Sequence, residues 1–152
     1  MKLIKQPTSW SCLPTCLAMA IGCTLEEIFE FIGHDGSELR YPLEPAPFCF
    51  RAFHMREMVD FAYSRGYLYS YIPRYAEHFI DSEGTIAQFP IKDNWQRLML
   101  YFKGQNVIVS GDYPSPHAVL YSDGVIYDPK GFTAEPDDYL EKMMSISLIT
   151  SR

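Results

Sequence analysis

The segment from His117 to Asp128 leaves the chain little choice of conformation. Two apolar runs, His117-Ala118-Val119-Leu120-Tyr121 and Val125-Ile126-Tyr127-Asp128, flank Ser122-Asp123-Gly124. Asp-Gly between apolar runs predicts a β-hairpin, because a type I′ turn needs positive φ at both central positions. With Asp123 and Gly124 as the loop, Ser122 opposes Val125 and Val119 opposes Asp128, so His117 is the diagonal neighbour of Asp128 on the same sheet face. Diagonal neighbours lie about 7–8 Å apart at the backbone, a gap that one histidine–aspartate hydrogen bond spans. An imidazole held that way presents its other nitrogen outward. A four-residue loop keeps this parity, whereas an odd-length loop sends Asp128 to the other face. A surface histidine and a turn aspartate before Pro129 would show the same residues without chemistry.

The rest of the chain changes period along its length. From Cys12 to Gly22, Leu13, Leu17, Ala18, Met19 and Ile21 recur at helical spacing. Pro14 is tolerated only in a first helical turn, so the helix starts near Ser11 or Cys12 and Cys16 lies a turn further in. Gly22 ends that helix, and Thr24-Leu25-Glu26-Glu27 is a capping-box pattern opening a second one through Ile28, Phe29 and Phe31 to Gly33. Pro42, Pro45 and Pro47 break the stretch from His34 to Phe53, which reads as an ordered loop. A third helix runs from His54 to Arg65, with Met55, Met58, Val59 and Ala62 on one side. It ends at Gly66, before the strand-like Tyr67 to Ile72. After a polar connection, a fourth helix is capped by Asp93 or Asn94, faces Trp95, Leu98, Met99 and Phe102 inward, and closes at Gly104. Val107 to Gly111 and Ile146 to Ile149 add strands around the hairpin. Helices early and antiparallel strands late describe an α+β domain, and 152 residues suit one domain with a real apolar core.

Chemistry enters with the position of the first cysteine. A thiol at a helix N-terminus feels unpaired N–H groups and the positive end of the dipole, which favour thiolate. Cys12 has that position and Cys16 does not. Gln6 precedes it at a spacing that lets an extended segment return the carboxamide beside the sulfur, where its NH₂ and the Cys12 N–H can bind an oxyanion. A buried structural cysteine with an exposed glutamine upstream fits the same pattern.

Charge and cysteine usage narrow the classes further. A net charge of -6, a pI near 5.1 and no run of Lys or Arg argue against a nucleic-acid surface. No stretch approaches about 18 uninterrupted apolar residues, and Met1 to Lys5 lead at once into Gln6-Pro7, so a soluble cytoplasmic protein with no membrane association is expected. Four cysteines without a secretion signal are expected to be reduced. Cys12, Cys16, Cys49, His34 and His54 all lie within the first 54 residues, but no CxxC pair occurs and no second pair follows Cys12-x3-Cys16. A structural zinc site is therefore not expected, and thiol chemistry at Cys12 needs no metal or organic cofactor. His34, His54 and His78 read as caps or surface residues, Cys23 and Cys49 as small buried side chains, and the tyrosines from Tyr63 to Tyr75 as core and rim that a peptide groove could also use.

The order Gln6, Cys12, His117, Asp128 resembles the papain-like cysteine peptidases, and most closely the bacteriocin-processing branch that cleaves double-glycine leader peptides. Cys16 to Gly22 with Thr24 to Ile28 is similar to that branch's nucleophile helix and the helix after it. Met55 to Gly66 and Val107-Ile108-Val109 are similar more loosely, while His117-Ala118-Val119 and Tyr127-Asp128-Pro129 resemble the segments carrying its histidine and aspartate. The resemblance implies a single papain-like domain over residues 1–152, its nucleophile helix packed on a C-terminal antiparallel sheet. It implies Cys12 as nucleophile, His117 as general base, Asp128 orienting the histidine and Gln6 binding the oxyanion. Ser11 and Leu13 stand where members usually have an acidic residue and a glycine, so a stand-alone hydrolase acting on another peptide or related amide is expected. Two alternatives stay open: deamidase or transglutaminase-like acyl transfer by the same triad, and a papain-like fold kept as an inactive protein-binding module.

Overall fold

The computed structural model describes residues 1–73, 78–80, 86–88, 102–113, 115–140 and 142–152. Three helices come first: α1 (Cys12–Ile21), α2 (Leu25–Ile32) and α3 (Met55–Ser64). The strands follow as β1 (Tyr67–Pro73), β2 (His78–Ile80), β3 (Ile86–Gln88), β4 (Asn106–Asp112), β5 (Pro116–Ser122), β6 (Val125–Asp128) and β7 (Phe132–Ala134). A short helix α4 (Asp137–Leu140) precedes β8 (Met143–Ser151). This is a mixed domain of helices and antiparallel sheet. The fourth helix read from the sequence lies, except for its last residues, outside the described residues.

Local chemistry sets the helix ends. Ser11 is the residue before α1, and Gly22 ends it in the left-handed conformation, its N–H donating to the Ala18 carbonyl. The capping box at α2 is complete: the Glu27 N–H donates to Thr24 Oγ1 at 3.2 Å and the Thr24 N–H to Glu27 Oε2 at 2.8 Å.

The six-stranded sheet has the order β1-β8-β4-β5-β6-β7, with every neighbouring pair antiparallel. β2 and β3 form a separate two-stranded ribbon, in a segment read as a mere connection. In the hairpin, Ser122 pairs with Val125 and Leu120 with Tyr127. Asp123 and Gly124 carry φ of 49° and 86°, the positive values a type I′ turn requires.

Period-two alternation splits the apolar side chains of β4 and β5 between two faces. Ile108, Ala118 and Leu120 face α1, α2 and α3 and join Leu17, Ile28, Met58 and Phe61 in one core. Val107, Val109, Val119 and Tyr121 face the other way and pack with Phe102, Tyr113, Tyr139 and Ile126. Burying a large apolar side chain contributes roughly 1.5–3 kcal/mol, so the fully buried Leu17, Ile28, Met58 and Phe61 clamp the helices to the sheet. That clamp fixes where the start of α1 lies relative to the strand ends.

Among the described residues no single helix is long and apolar enough to cross a membrane.

Candidate active site

Cys12 is held at the first turn of α1 by a tightly bonded turn. The Thr8 N–H and hydroxyl donate to Ser11 Oγ at 3.2 and 2.9 Å, and that hydroxyl donates to the Thr8 carbonyl at 3.0 Å. Thr15 Oγ1 donates to the Ser11 carbonyl at 2.7 Å. Because the Ser11 hydroxyl is spent on this turn, it makes no cap hydrogen bond to α1, and the first turn carries no acidic residue. The N–H groups at the start of α1 therefore keep their affinity for an anion.

His117 and Asp128 meet as the hairpin register requires. Nε2 of His117 donates to Oδ1 of Asp128 at 2.8 Å, with both side chains buried. The half-buried Cys12 lines the same cleft as His117 and lies close enough to help hold the ring charged. Sulfur, imidazole and carboxylate thus gather at one end of the cleft, the last two joined directly.

Asp128 is only 1% exposed yet stays charged. Burial pushes its carboxyl up, but hydrogen bonds from His117, the Lys130 N–H and Tyr139 hold it below the ordinary aspartate value. The Lys130 N–H donates to Oδ1 and the Tyr139 hydroxyl to Oδ2, at 2.8 and 2.7 Å. Asp128 is thus a turn aspartate and a histidine partner at once. For His117, burial works against the charged ring, and the contacts with Asp128 and Cys12 overcome it, raising the pKa from 6.5 to about 9. An imidazolium at neutral pH is the consequence.

The other cysteines are in different surroundings. Cys16, a turn further into α1, is fully buried, and burial drives its thiol well above the ordinary value, with Cys12 and Asp128 adding to the effect. Cys49 is buried, whereas Cys23 is half-buried rather than enclosed as the sequence suggested; burial pushes its thiol up to about 11.

Gln6 approaches the site from the sheet side. Its N–H donates to the Pro129 carbonyl at 2.7 Å, tying the N-terminal segment beside Asp128. The carboxamide oxygen is buried without a hydrogen-bond partner among the described residues, and no hydrogen bond there joins the side chain to Cys12. His34 and His54 serve structure: His34 Nε2 lies 2.9 Å from Glu57 Oε1, and the His54 N–H donates to Glu57 Oε2 at 2.8 Å at the start of α3. The side chain of His78 lies outside the described residues.

A cleft of about 500 Å³ opens at Cys12 and His117. The proline-rich loop forms one of its sides through Pro47, Phe48 and Phe50, with the Trp10 and Phe50 rings 4.1 Å apart. A larger cavity of about 1050 Å³ lies at the other end of α1, beneath Met1 to Lys5, and touches none of Cys12, His117 and Asp128.

Sequence reasoning missed Tyr139, Tyr113 and most of the cleft walls, although Tyr71 lies in the tyrosine stretch read as usable by a peptide groove. The Tyr113 hydroxyl donates to the Tyr139 carbonyl at 3.1 Å and the two rings sit 4.9 Å apart. Burial and the Asp128 charge raise the Tyr139 hydroxyl's pKa, so it stays a donor. Gly111, paired with His117 across the sheet, makes room for this group: a Cβ there would lie 2.5 Å from the Tyr113 oxygen and collide with the Lys142 carbonyl. Glycine at that position is the only sequence trace of the arrangement.

Three helices on an antiparallel sheet, with a thiol at a helix start and a buried histidine–aspartate pair, define a fold with known relatives among solved structures. No protein-family model matches the chain, and no curated protein matches its sequence. It is similar in structure to the peptidase domain of Streptococcus ComA, a bifunctional ABC transporter involved in a quorum-sensing pathway. The TM-score is 0.55 over 99% of this chain and 98% of that domain, at 11% identity. The chain shares the fold of that peptidase domain.

Proposed function

We propose that this protein is a papain-like cysteine peptidase, hydrolysing a peptide or related amide bond through Cys12, His117, Asp128 and Gln6. The observation that carries the reading is the buried His117, paired with a charged, triply bonded Asp128 and set beside Cys12 in one cleft. The fold shared with a peptidase domain supports it.

In this mechanism the Cys12 thiolate attacks the carbonyl carbon and the carbonyl π pair moves to oxygen. The resulting oxyanion lies against the uncapped N–H groups at the start of α1 and the Gln6 carboxamide. In this reading the carboxamide NH₂ of Gln6 is the side-chain donor to the oxyanion. His117 gives its Nδ1 proton to the leaving amine, the C–N bond breaks and a thioester remains on Cys12. The now neutral ring takes a proton from water as the water oxygen attacks the thioester, releasing acid and restoring the thiolate–imidazolium pair. Asp128 keeps the ring oriented throughout.

Iodoacetamide at mildly acidic pH tests the reading. Cys12 should be alkylated selectively, at a rate that falls about a hundredfold in His117→Ala, within the range usual for losing an acid–base partner. Equal labelling in both proteins would refute the pairing. Cleavage of a peptide library by wild type but not by Cys12→Ala would then establish hydrolysis.

A further inference from the structure

The two oxygens of Asp128 are held by different parts of the fold. Oδ1 takes two donors, His117 Nε2 and the Lys130 N–H, both at 2.8 Å. Oδ2 takes the Tyr139 hydroxyl at 2.7 Å, its one donor among the described residues. The last torsion of an aspartate has no sharp staggered wells, so the plane of the carboxylate is set by what binds its oxygens. The Lys130 N–H lies two residues along the same chain and follows Asp128 when the turn moves. Gln6 ties the backbone of that turn through the Pro129 carbonyl and leaves the carboxylate free to rotate. Tyr139 is thus the contact from outside the turn that fixes the plane.

Tyr139 is itself anchored. Its N–H donates to the Pro136 carbonyl at 3.0 Å, and its carbonyl accepts from the Tyr113 hydroxyl at 3.1 Å. Tyr113 stands two residues beyond Gly111, which pairs with His117 across β4 and β5. The contacts therefore close a ring, from His117 through Asp128, Tyr139 and Tyr113 and back along β4 to the residue opposite His117. Tyr139 is 7% exposed, so little water competes for its bond to Oδ2. The mechanism at Cys12 uses His117 and Asp128 and leaves the tyrosines without a role.

Resting on the reading of Cys12 as a nucleophile, we propose that Tyr139 is a positioning residue for the reaction. Its hydroxyl locks the Asp128 carboxylate through Oδ2, so that Oδ1 stays on His117 Nε2 and the imidazole is held in one orientation beside Cys12. Without the hydroxyl, Oδ2 is buried and unpaired. A carboxylate relieves that by turning its second oxygen towards the donors already serving the first, and the ring it holds turns with it. The effect passes wholly through the carboxylate. In Asp128→Asn an NH₂ stands at the Oδ2 place, the tyrosine hydroxyl no longer donates there, and its removal has little left to disturb.

Full-length wild type, Tyr139→Phe, Asp128→Asn and the double variant test this, with Ile28→Val as a core variant on α2. Two rates are read: alkylation of Cys12 by iodoacetamide at pH 6, and exchange of the His117 Nε2 proton with water by NMR. Tyr139→Phe should slow alkylation and speed exchange, each at least about threefold. Adding Tyr139→Phe to Asp128→Asn should change alkylation less than about twofold, because the two side chains act as one unit. Ile28→Val loosens the core without touching the carboxylate and should leave both rates within about twofold of wild type. Smaller changes in Tyr139→Phe, equal slowing in the Asp128→Asn background, or the same changes in Ile28→Val overturn the inference. Wild-type Cys12 no more reactive than in His117→Ala, with exchange still faster in Tyr139→Phe, fails the catalytic reading alone. A reactive Cys12 whose alkylation or ring exchange ignores the loss of the hydroxyl fails this inference alone.

Discussion

Replacing Asp128 by Asn removes one charge while leaving nearly the same shape, and its consequence can be worked through from the site. The aspartate accepts from His117 and the Lys130 N–H at Oδ1 and from Tyr139 at Oδ2. An asparagine with its oxygen at the Oδ1 place keeps the first two bonds and turns its NH₂ towards Tyr139, whose hydroxyl can rotate to accept. The fold should therefore survive. The imidazolium loses the charge that offsets its burial. The interval from 6.5 to about 9 amounts to roughly 3 kcal/mol in favour of the charged ring. Asp128 gives the first of the contacts opposing burial. At pH 7.5 about 97% of His117 is protonated at a pKa near 9, and about 9% or less at 6.5 or below. Following the His117 ring by NMR should give a midpoint near 9 in wild type and a clearly lower one in Asp128→Asn, where only Cys12 is left to oppose the ring's burial. Iodoacetamide labelling of Cys12 at pH 6 should slow in parallel. An Asn variant still titrating near 9 would refute the argument that the carboxylate holds the ring charged.

The same linkage reaches stability: a raised histidine pKa stabilises the fold fully below pH 6.5 and loses that contribution as pH climbs through about 9, while the depressed Asp128 loses its own as the solution turns acid. Urea midpoints should accordingly fall between pH 6.5 and 9.5 in wild type and stay flatter in Asp128→Asn. Tyr139→Phe strips a buried donor from Asp128 and should cost about 1–2 kcal/mol in urea unfolding; an unchanged midpoint would mean the bond contributes nothing. Gly111→Ala forces a Cβ against Tyr113 and the Lys142 carbonyl and should lower the thermal midpoint by several degrees. An unchanged midpoint would contradict the crowding. Cys16, fully buried with a raised pKa, should resist alkylation until the protein unfolds, as mass mapping of labelled sites in folded and urea-treated samples can check.

The sequence by itself determined the features whose causes lie within a few residues. Positive φ at Asp123 and Gly124 closes the hairpin, and the hairpin's parity puts His117 and Asp128 on one face. Thr24 and Glu27 cap each other across one helical turn. Pro14 places Cys12 at the start of α1. Each follows from backbone angles or from a side chain bonding to nearby backbone. Tertiary structure alone decided how the distant pieces meet. Burial of α1 against β4 and β5 carries the sulfur to the imidazole. The chain after Asp128, reading as nothing in particular, forms β7 and α4 and returns the Tyr139 hydroxyl to the carboxylate. Trp10, the Phe48–Phe50 loop and Tyr71 come together as a cleft. Such contacts arise from packing between segments far apart in sequence, where favourable burial offsets the entropy of bringing them together, and no spacing along the chain records which partners will meet.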